Sequence, residues 1–433
     1  MTVSIASSSA SRFCINAISS VDTSVLYYID QTSTSSGAKQ GSCPGGGFKS
    51  IANGYAHSCA IATDDTAYCW GSNTYGQLGN GLTADSLTPV AVGTSGAMAG
   101  KTIKAISSSY FHTCAIASDN NAYCWGYNNA GQLGNGTTND SSVPVAVNTS
   151  GALSGKTIVA ISVGAKFTCV LASDNNAYCW GENLFGQLGN GSTTQSSLPV
   201  AVTTSGVLSG KTLKTVSSGA YHACAIASDN NAYCWGLSSS GQLGDSLFLH
   251  GSISQSAVPV AVTQSGVLSG KTIKAMGAGG LHTCVIASDN NVYCWGRNNE
   301  GQLGNGSTTQ SASPVAVTTS GMLSGKTVTS LAVGKLHSCV IASDTNAYCW
   351  GDGSSSQLGN GTTALSSVPV AVTMSGTLAG KTPQSISATG NSFHTCIIAS
   401  DNLAYCWGFN NGGQLGNNSK IDSAVPVIVN KPF

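Results

Sequence analysis

From Phe48 onward, apolar and polar positions alternate in short runs, and the runs recur in groups of four. The second group shows the pattern: Ile103–Ser107, Thr113–Ala117, Ala122–Gly126 and Val143–Val147. Alternation with a period of two predicts half-buried strands. The link 127–142 contains Gly131-Gln132-Leu133-Gly134-Asn135-Gly136 and is too long and glycine-rich for a hairpin, so it is expected to cross between blades. The link from Val147 to Ile158 is shorter and ends in Ser-Gly-Lys-Thr. On that basis the Pro-Val strand is expected to be the innermost strand of the following blade. The chain would then begin with the second strand of a blade, Lys49–Ala52, and end on an orphan first strand, Val425–Val429, which would pair into the first blade and close a ring. Closure of this kind removes exposed edges.

The groups repeat. HTCAIASDNNAYCWG at 112–126 returns as Cys59/Cys69/Trp70, Cys169/Cys179/Trp180, Cys224/Cys234/Trp235, Cys284/Cys294/Trp295, Cys339/Cys349/Trp350 and Cys396/Cys406/Trp407. Seven units of about 55 residues signal a propeller or solenoid. They account for all 7 tryptophans and all but two of the 16 cysteines. Residues 1–47 do not repeat. Their apolar runs, Val3–Ile5, Phe13–Ile18 and Val25–Ile29, predict a small β segment or cap that Cys14 and Cys43 could staple, and 48–433 is expected to form one propeller domain.

Composition narrows the function. Charged residues are only 8% of the 433, with 17 Lys+Arg against 17 Asp+Glu, so the basic stripe that nucleic-acid binding requires is missing. No apolar run is long enough to cross a bilayer as a helix. An even number of cysteines at fixed spacing predicts an oxidising, extracellular or cell-surface location. The start, MTVSIASSSASRFC, has neither a basic nor an apolar signal region, so export would need a signal outside this sequence.

The expected pairs are Cys14–Cys43, Cys59–Cys69, Cys114–Cys124, Cys169–Cys179, Cys224–Cys234, Cys284–Cys294, Cys339–Cys349 and Cys396–Cys406. A two- or four-residue loop would place Cys114 and Cys124 on opposite sheet faces, so an odd loop or a bulge at Ser118–Asn121 is required. Zinc is disfavoured by a spacing of ten across a hairpin. Histidine stands two residues before the first cysteine at His57, His112, His222, His282, His337 and His394, with Phe167 in the third unit. The reading adopted is an imidazole bonded to nearby backbone. Asp64, Asp119, Asp174, Asp229, Asp289, Asp344 and Asp401 suit hairpin turns better than a calcium cage. Gly100-Lys101-Thr102 and its repeats lack the upstream glycine and following helix of a phosphate loop. No cofactor, metal or catalytic set is expected.

With Tyr221-His222-Ala223-Cys224, Asp229, Trp235-Gly236 and Gly241-Gln242-Leu243-Gly244 in view, the repeat resembles the regulator of chromosome condensation repeat family over 48–429. The resemblance implies an all-β, seven-bladed propeller with four-stranded blades. It also implies a binding platform: some members exchange nucleotides on small GTPases, some bind chromatin, and a secreted bacterial one inhibits β-lactamases. Paired cysteines, neutral charge and the lack of a long inserted wedge set this chain apart from the nuclear members. FCINAISSVDTSVLYYID followed by GSCPGG resembles the end of a bacterial pilin-like globular domain, which would place the propeller on a pilus or surface assembly.

Units differ mainly in two places, before the histidine and after Trp-Gly. In an up-and-down blade both lie on one face. Candidate binding residues are therefore Tyr55, Tyr75, Tyr110, Phe111, Tyr127, Lys166, Glu182, Phe185, Tyr221, Leu237, Phe248, His250, Arg297, Glu300, Lys335, Asp352, Phe393 and Phe409. Length changes fall on that face too, around Leu247–His250 and Asn391-Ser392. The expected function is a non-catalytic extracellular binding or adhesion module for a protein or glycan. The alternatives are an inhibitor of a secreted enzyme and, behind it, a lyase-type propeller or a nucleotide-exchange factor.

Overall fold

The computed structural model describes residues 2–9, 12–18, 26–30, 39–40, 46–246 and 254–432. The chain forms two compact units, 1–47 with 431–433, and 48–430. In the first, β1 (Thr2–Ser9), β2 (Arg12–Ile18), β3 (Leu26–Asp30) and β4 (Lys39–Gln40) make an antiparallel meander. Cys43, and with it the expected Cys14–Cys43 pair, lies outside the described residues.

The second unit is a ring of seven four-stranded antiparallel sheets. Blade one holds β5 (Phe48–Asn53), β6 (His57–Ala62), β7 (Ala67–Gly71) and β8 (Ser86–Ala91). Blade two holds β9 (Ile103–Ser108), β10 (His112–Ala117), β11 (Ala122–Gly126) and β12 (Ser141–Ala146). Blades three to seven repeat this at 158–201, 213–261, 273–316, 328–371 and 383–428.

The expected blade phase is corrected. The Pro-Val strand closes its own blade: β8 pairs with β7 through Tyr68↔Ala91 and Cys69↔Val90. Likewise the C-terminal strand Ser423–Ile428 pairs with Ala404–Gly408 of its own blade and not with blade one. The first strands of successive blades touch around the axis, so β5 and its equivalents are innermost and the Pro-Val strands are the solvent-facing rim, with the mixed burial seen in β12. Link 92–102 carries the chain from the rim back to the axis. In blades one, three, four and six it contains a single 3-10 turn whose apolar residue, Met98, Leu208, Leu268 or Leu378, is buried. Repeat spacing carries no phase, which is why the sequence could not choose.

Closure therefore uses side chains instead of strand exchange. Trp125 Nε1 of blade two donates to the Gln77 carbonyl of blade one at 2.9 Å, and Trp70 of blade one donates to Gln414 of blade seven at 2.8 Å. The seventh interface repeats the other six. Seven apolar clusters fill the interfaces, each holding one cysteine pair and the tryptophan of the next blade.

The hairpin turn meets the stated requirement. Cys114 and Cys124 are directly opposite, as are their six counterparts, with Cα atoms 4.0–4.1 Å apart and disulfides formed. Ala117 and Asn121 close an odd loop, Asn121 O accepting from Ala117 N at 3.0 Å, with Asn120 left-handed at φ 62°. Asp119 accepts from Asn121 N at 3.1 Å and from Tyr123 OH at 2.7 Å. The lysine of Gly-Lys-Thr stacks over this tyrosine, Lys101 Nζ lying 5.6 Å from the Tyr123 ring. That assigns the conspicuous Gly-Lys-Thr to a clamp on the turn face.

Candidate functional site

Two loops of each blade reach the variable face, one between its first and second strands and one between its third and fourth. The longer loop is built by its own polar side chains. Asn128 receives Leu133 N at 2.9 Å and donates to the carbonyls of Thr137 and Asn139, so one buried amide replaces the missing secondary structure. Gly134 of Gly-Gln-Leu-Gly is obligatory: a Cβ there would lie 2.6 Å from Trp180 Nε1, at φ +69°.

The histidines are not free on this face, and their partner differs from the expected backbone. His57 Nε2 lies 2.9 Å from Thr113 Oγ1 of the next blade, and that hydroxyl donates to Gln77 O at 3.1 Å. The hydroxyl proton is thereby used, so Nε2–H is the donor. His112–Thr168, His222–Thr283, His282–Ser338, His337–Thr395 and His394–Ser58 repeat the bond. Where Phe167 replaces the histidine, the next blade carries Ala223 in place of the hydroxyl, and both are buried in one cluster. The polar pair is exchanged as a pair. Burial pushes five of the six imidazoles down to about 3, and His337 to about 4, so they are neutral. Among the described residues no group of three His, Cys, Asp or Glu is arranged to hold a metal.

The face has two halves. Across blades seven, one and two the half-buried rings form a continuous sheet of contacts. Tyr55 meets Tyr110 at 5.1 Å, Phe393 at 5.8 Å and Phe409 at 6.4 Å. Phe111 touches Tyr110 at 4.2 Å and Tyr75 at 5.0 Å, and Tyr75 touches Tyr127 at 4.6 Å. Two lysines border it: Lys335 Nζ sits 4.6 Å from the Phe393 ring centre and 5.5 Å from that of Tyr55, and Lys166 Nζ 5.9 Å from that of Tyr127.

Blades three to six are polar. Lys166 lies 3.9 Å from Glu182, whose carboxyl is raised by burial against the pull of Lys166. Arg297 grips Glu300 through two bonds, 2.6 and 3.0 Å. Asp352 is turned inward to Gln357 Nε2 at 2.8 Å and is 8% exposed. Phe185 and Tyr221 form a separate pair at 5.7 Å.

Some candidates fall elsewhere. Leu237 is buried at 8% exposure and extends its strand by pairing with Gln255. Phe248 and His250 lie outside the described residues. The Asn391-Ser392 insertion lines no open surface. It spans the axis, Asn391 Nδ2 donating to Ser109 Oγ at 2.7 Å and Ser392 O accepting from Lys335 N at 3.0 Å. A Cβ at Gly390 would stand 2.9 Å from Gly219 Cα of blade four. The axial cavity next to it, about 160 Å³ and lined by Ser107, Ser162, Ser217 and Gly277 among others, is bordered by this loop through Thr389 and Gly390. The sequence reading missed the buried glutamines of Gly-Gln-Leu-Gly. Their invariance within the chain marked them as frame, and only the loop geometry shows which carry a free donor.

A profile described as the RCC1-like domain matches residues 95–433, and two regulator of chromosome condensation (RCC1) repeat profiles match 64–116 and 48–77. The chain is 31% identical to the ultraviolet-B receptor UVR8 of Arabidopsis thaliana over 313 residues, 72% of this chain and 67% of the receptor. Human E3 ubiquitin-protein ligase HERC2 is 28% identical over 66% of this chain, which spans only 6% of the ligase. Yeast RCC1 (Prp20), solved bound to Kap60, superposes with a TM-score of 0.71 at 20% identity, covering 84% of this chain and 83% of that one. With the fold, the interface glutamines and the repeat profile in agreement, the chain belongs to the RCC1-like family of regulator of chromosome condensation repeat propellers.

Proposed function

We propose that this propeller is a non-catalytic binding module, working outside the reducing cytosol as a surface or adhesion component, and that it recognises an extracellular protein or glycan through its variable face. One observation carries the reading: seven half-buried aromatic side chains from three blades lie in mutual contact on one rigid face. Exposed contiguous aromatic area on a preformed scaffold supplies contact at low entropic cost. The yeast relative bound to Kap60 supports the fold as a host for protein interfaces. Seven disulfides buried between blades support an oxidising compartment.

The test pairs Tyr55→Ala with Phe409→Ala. Binding to an array of immobilised glycans and extracellular proteins is expected to fall at least about tenfold while the melting temperature stays near wild type. Equal binding by the double variant would remove the face from consideration. Free thiols at the seven pairs, found by mass spectrometry of protein from its native source, would refute the oxidising compartment.

A further inference from the structure

The glutamine of Gly-Gln-Leu-Gly has a fixed orientation. Its Oε1 accepts a backbone N–H two residues earlier, as Gln77 does from Tyr75, Gln132 from Ala130 and Gln414 from Gly412, each at 2.9 Å. Nε2 therefore points the other way. In blades three, five and six that donor meets a carboxylate of its own loop: Gln187 to Glu182 at 3.4 Å, Gln302 to Glu300 at 2.9 Å and Gln357 to Asp352 at 2.8 Å. In blades one, two, four and seven the position of Glu182 and Asp352 is taken by Ser72, Tyr127, Leu237 and Phe409. There the fully buried Gln77, Gln132, Gln242 and Gln414 have no acceptor for Nε2.

Three of these four blades, seven, one and two, are the aromatic sector. Beside it stands Lys335, half-buried over Tyr55 and Phe393. Among the described residues no carboxylate lies within ion-pair distance of it, and its nearest charge influence is another cation, Arg297. A buried donor without an acceptor and a half-buried cation without a counter-ion are both relieved by the same ligand chemistry.

We propose that the aromatic sector docks an acidic segment of a partner protein. Its carboxylate takes the Gln77 amide of blade one, which stands beside Ser72 rather than beside a tyrosine or phenylalanine, as Glu182, Glu300 and Asp352 take their glutamines within the chain. Lys335 serves as counter-ion, and Tyr55, Tyr75 and Phe409 pack on the apolar side chains flanking the acid. The proposal rests on the variable face being the binding surface and adds the chemistry of what it takes.

The experiment uses a fluorescent peptide, Gly-Phe-Glu-Phe-Gly with blocked ends, its Gln twin, and a neutral oligosaccharide, titrated against the whole chain by anisotropy. The Glu peptide is expected to bind at least about tenfold tighter than its twin. Ser72→Glu rebuilds the blade-three arrangement in blade one while keeping every aromatic ring; combined with Lys335→Gln it is expected to abolish that preference without lowering the melting temperature. Equal binding of Glu and Gln peptides, or a preference untouched by the double variant, overturns the proposal. So does binding of the oligosaccharide alone, or no peptide binding at millimolar concentration. If Glu and Gln peptides bind alike and Tyr55→Ala with Phe409→Ala removes both, the face remains a binding surface and only the carboxylate specificity is lost.

Discussion

At the scale of single residues, the His–Thr couple between blades explains a substitution that looks arbitrary along the chain. Phe167 alone would strand a hydroxyl, but the hydroxyl is gone as well, replaced by Ala223. His337 and Thr395 offer the matching test. Thr395→Ala leaves the buried Nε2–H without its acceptor, at a cost of about 1–3 kcal/mol. Adding His337→Phe copies the Phe167–Ala223 interface and is expected to recover part of that loss in chemical denaturation. A double variant as unstable as the sum of the singles would show that the two positions act independently. The histidine repeat was legible because it recurs at fixed spacing. Its partner was not, because the bond joins residues 58 positions apart in neighbouring blades.

At the scale of elements, the hairpin and its staple form a self-contained unit. The turn sets the register, and the register brings the cysteines opposite each other. Cys114→Ala with Cys124→Ala is expected to lower stability by about 2–3 kcal/mol, the chain-entropy value for a loop of this length. The melting temperature of the variant checks it, and no change would mean that interface packing alone holds the hairpin. The turn face is reinforced separately: Lys326 Nζ lies 3.0 Å from Asp344 and 4.7 Å from the Tyr348 ring centre. Burial works to raise the Asp344 carboxyl, yet Tyr348, Asn346 and Lys326 together hold it at about 2. That the loop had to be odd or bulged was readable from indices alone; the structure shows it odd. Strand phase was not, since a tandem repeat permits any starting point and only the partner of the Pro-Val strand decides.

At the scale of the whole molecule, the six buried imidazoles make the ring acid-sensitive. Each is held neutral in the fold and takes up a proton near about pH 6.5 once unfolded. The unfolded chain thus binds more protons between about pH 6.5 and the folded values near 3. Stability is complete above about pH 6.5 and falls as pH drops toward those values, by up to about 1.4 kcal/mol per pH unit for each histidine. The turn carboxylates, held below their ordinary range, add a further loss at lower pH. Melting temperature is expected to be flat above about pH 7 and to fall steeply below about pH 6. A flat profile down to about pH 4.5 would contradict the buried neutral ring.

Sequence by itself determined the local content: seven units, period-two strands, the need for an odd loop or a bulge in the hairpin, and the cysteine pairs facing across it. All of these follow from backbone periodicity and short-range sterics, which act within one unit. Tertiary structure decided what lies between units. It put the Pro-Val strand on the rim and closed the ring through Trp70 and Gln414. It also laid the Gly390 loop across the axis and gathered Tyr55, Tyr110, Phe393 and Phe409 from three blades into one patch. The reason is physical: a ring brings together residues hundreds of positions apart, and whether a buried amide finds a carboxylate there depends on its neighbours in space, not in the chain.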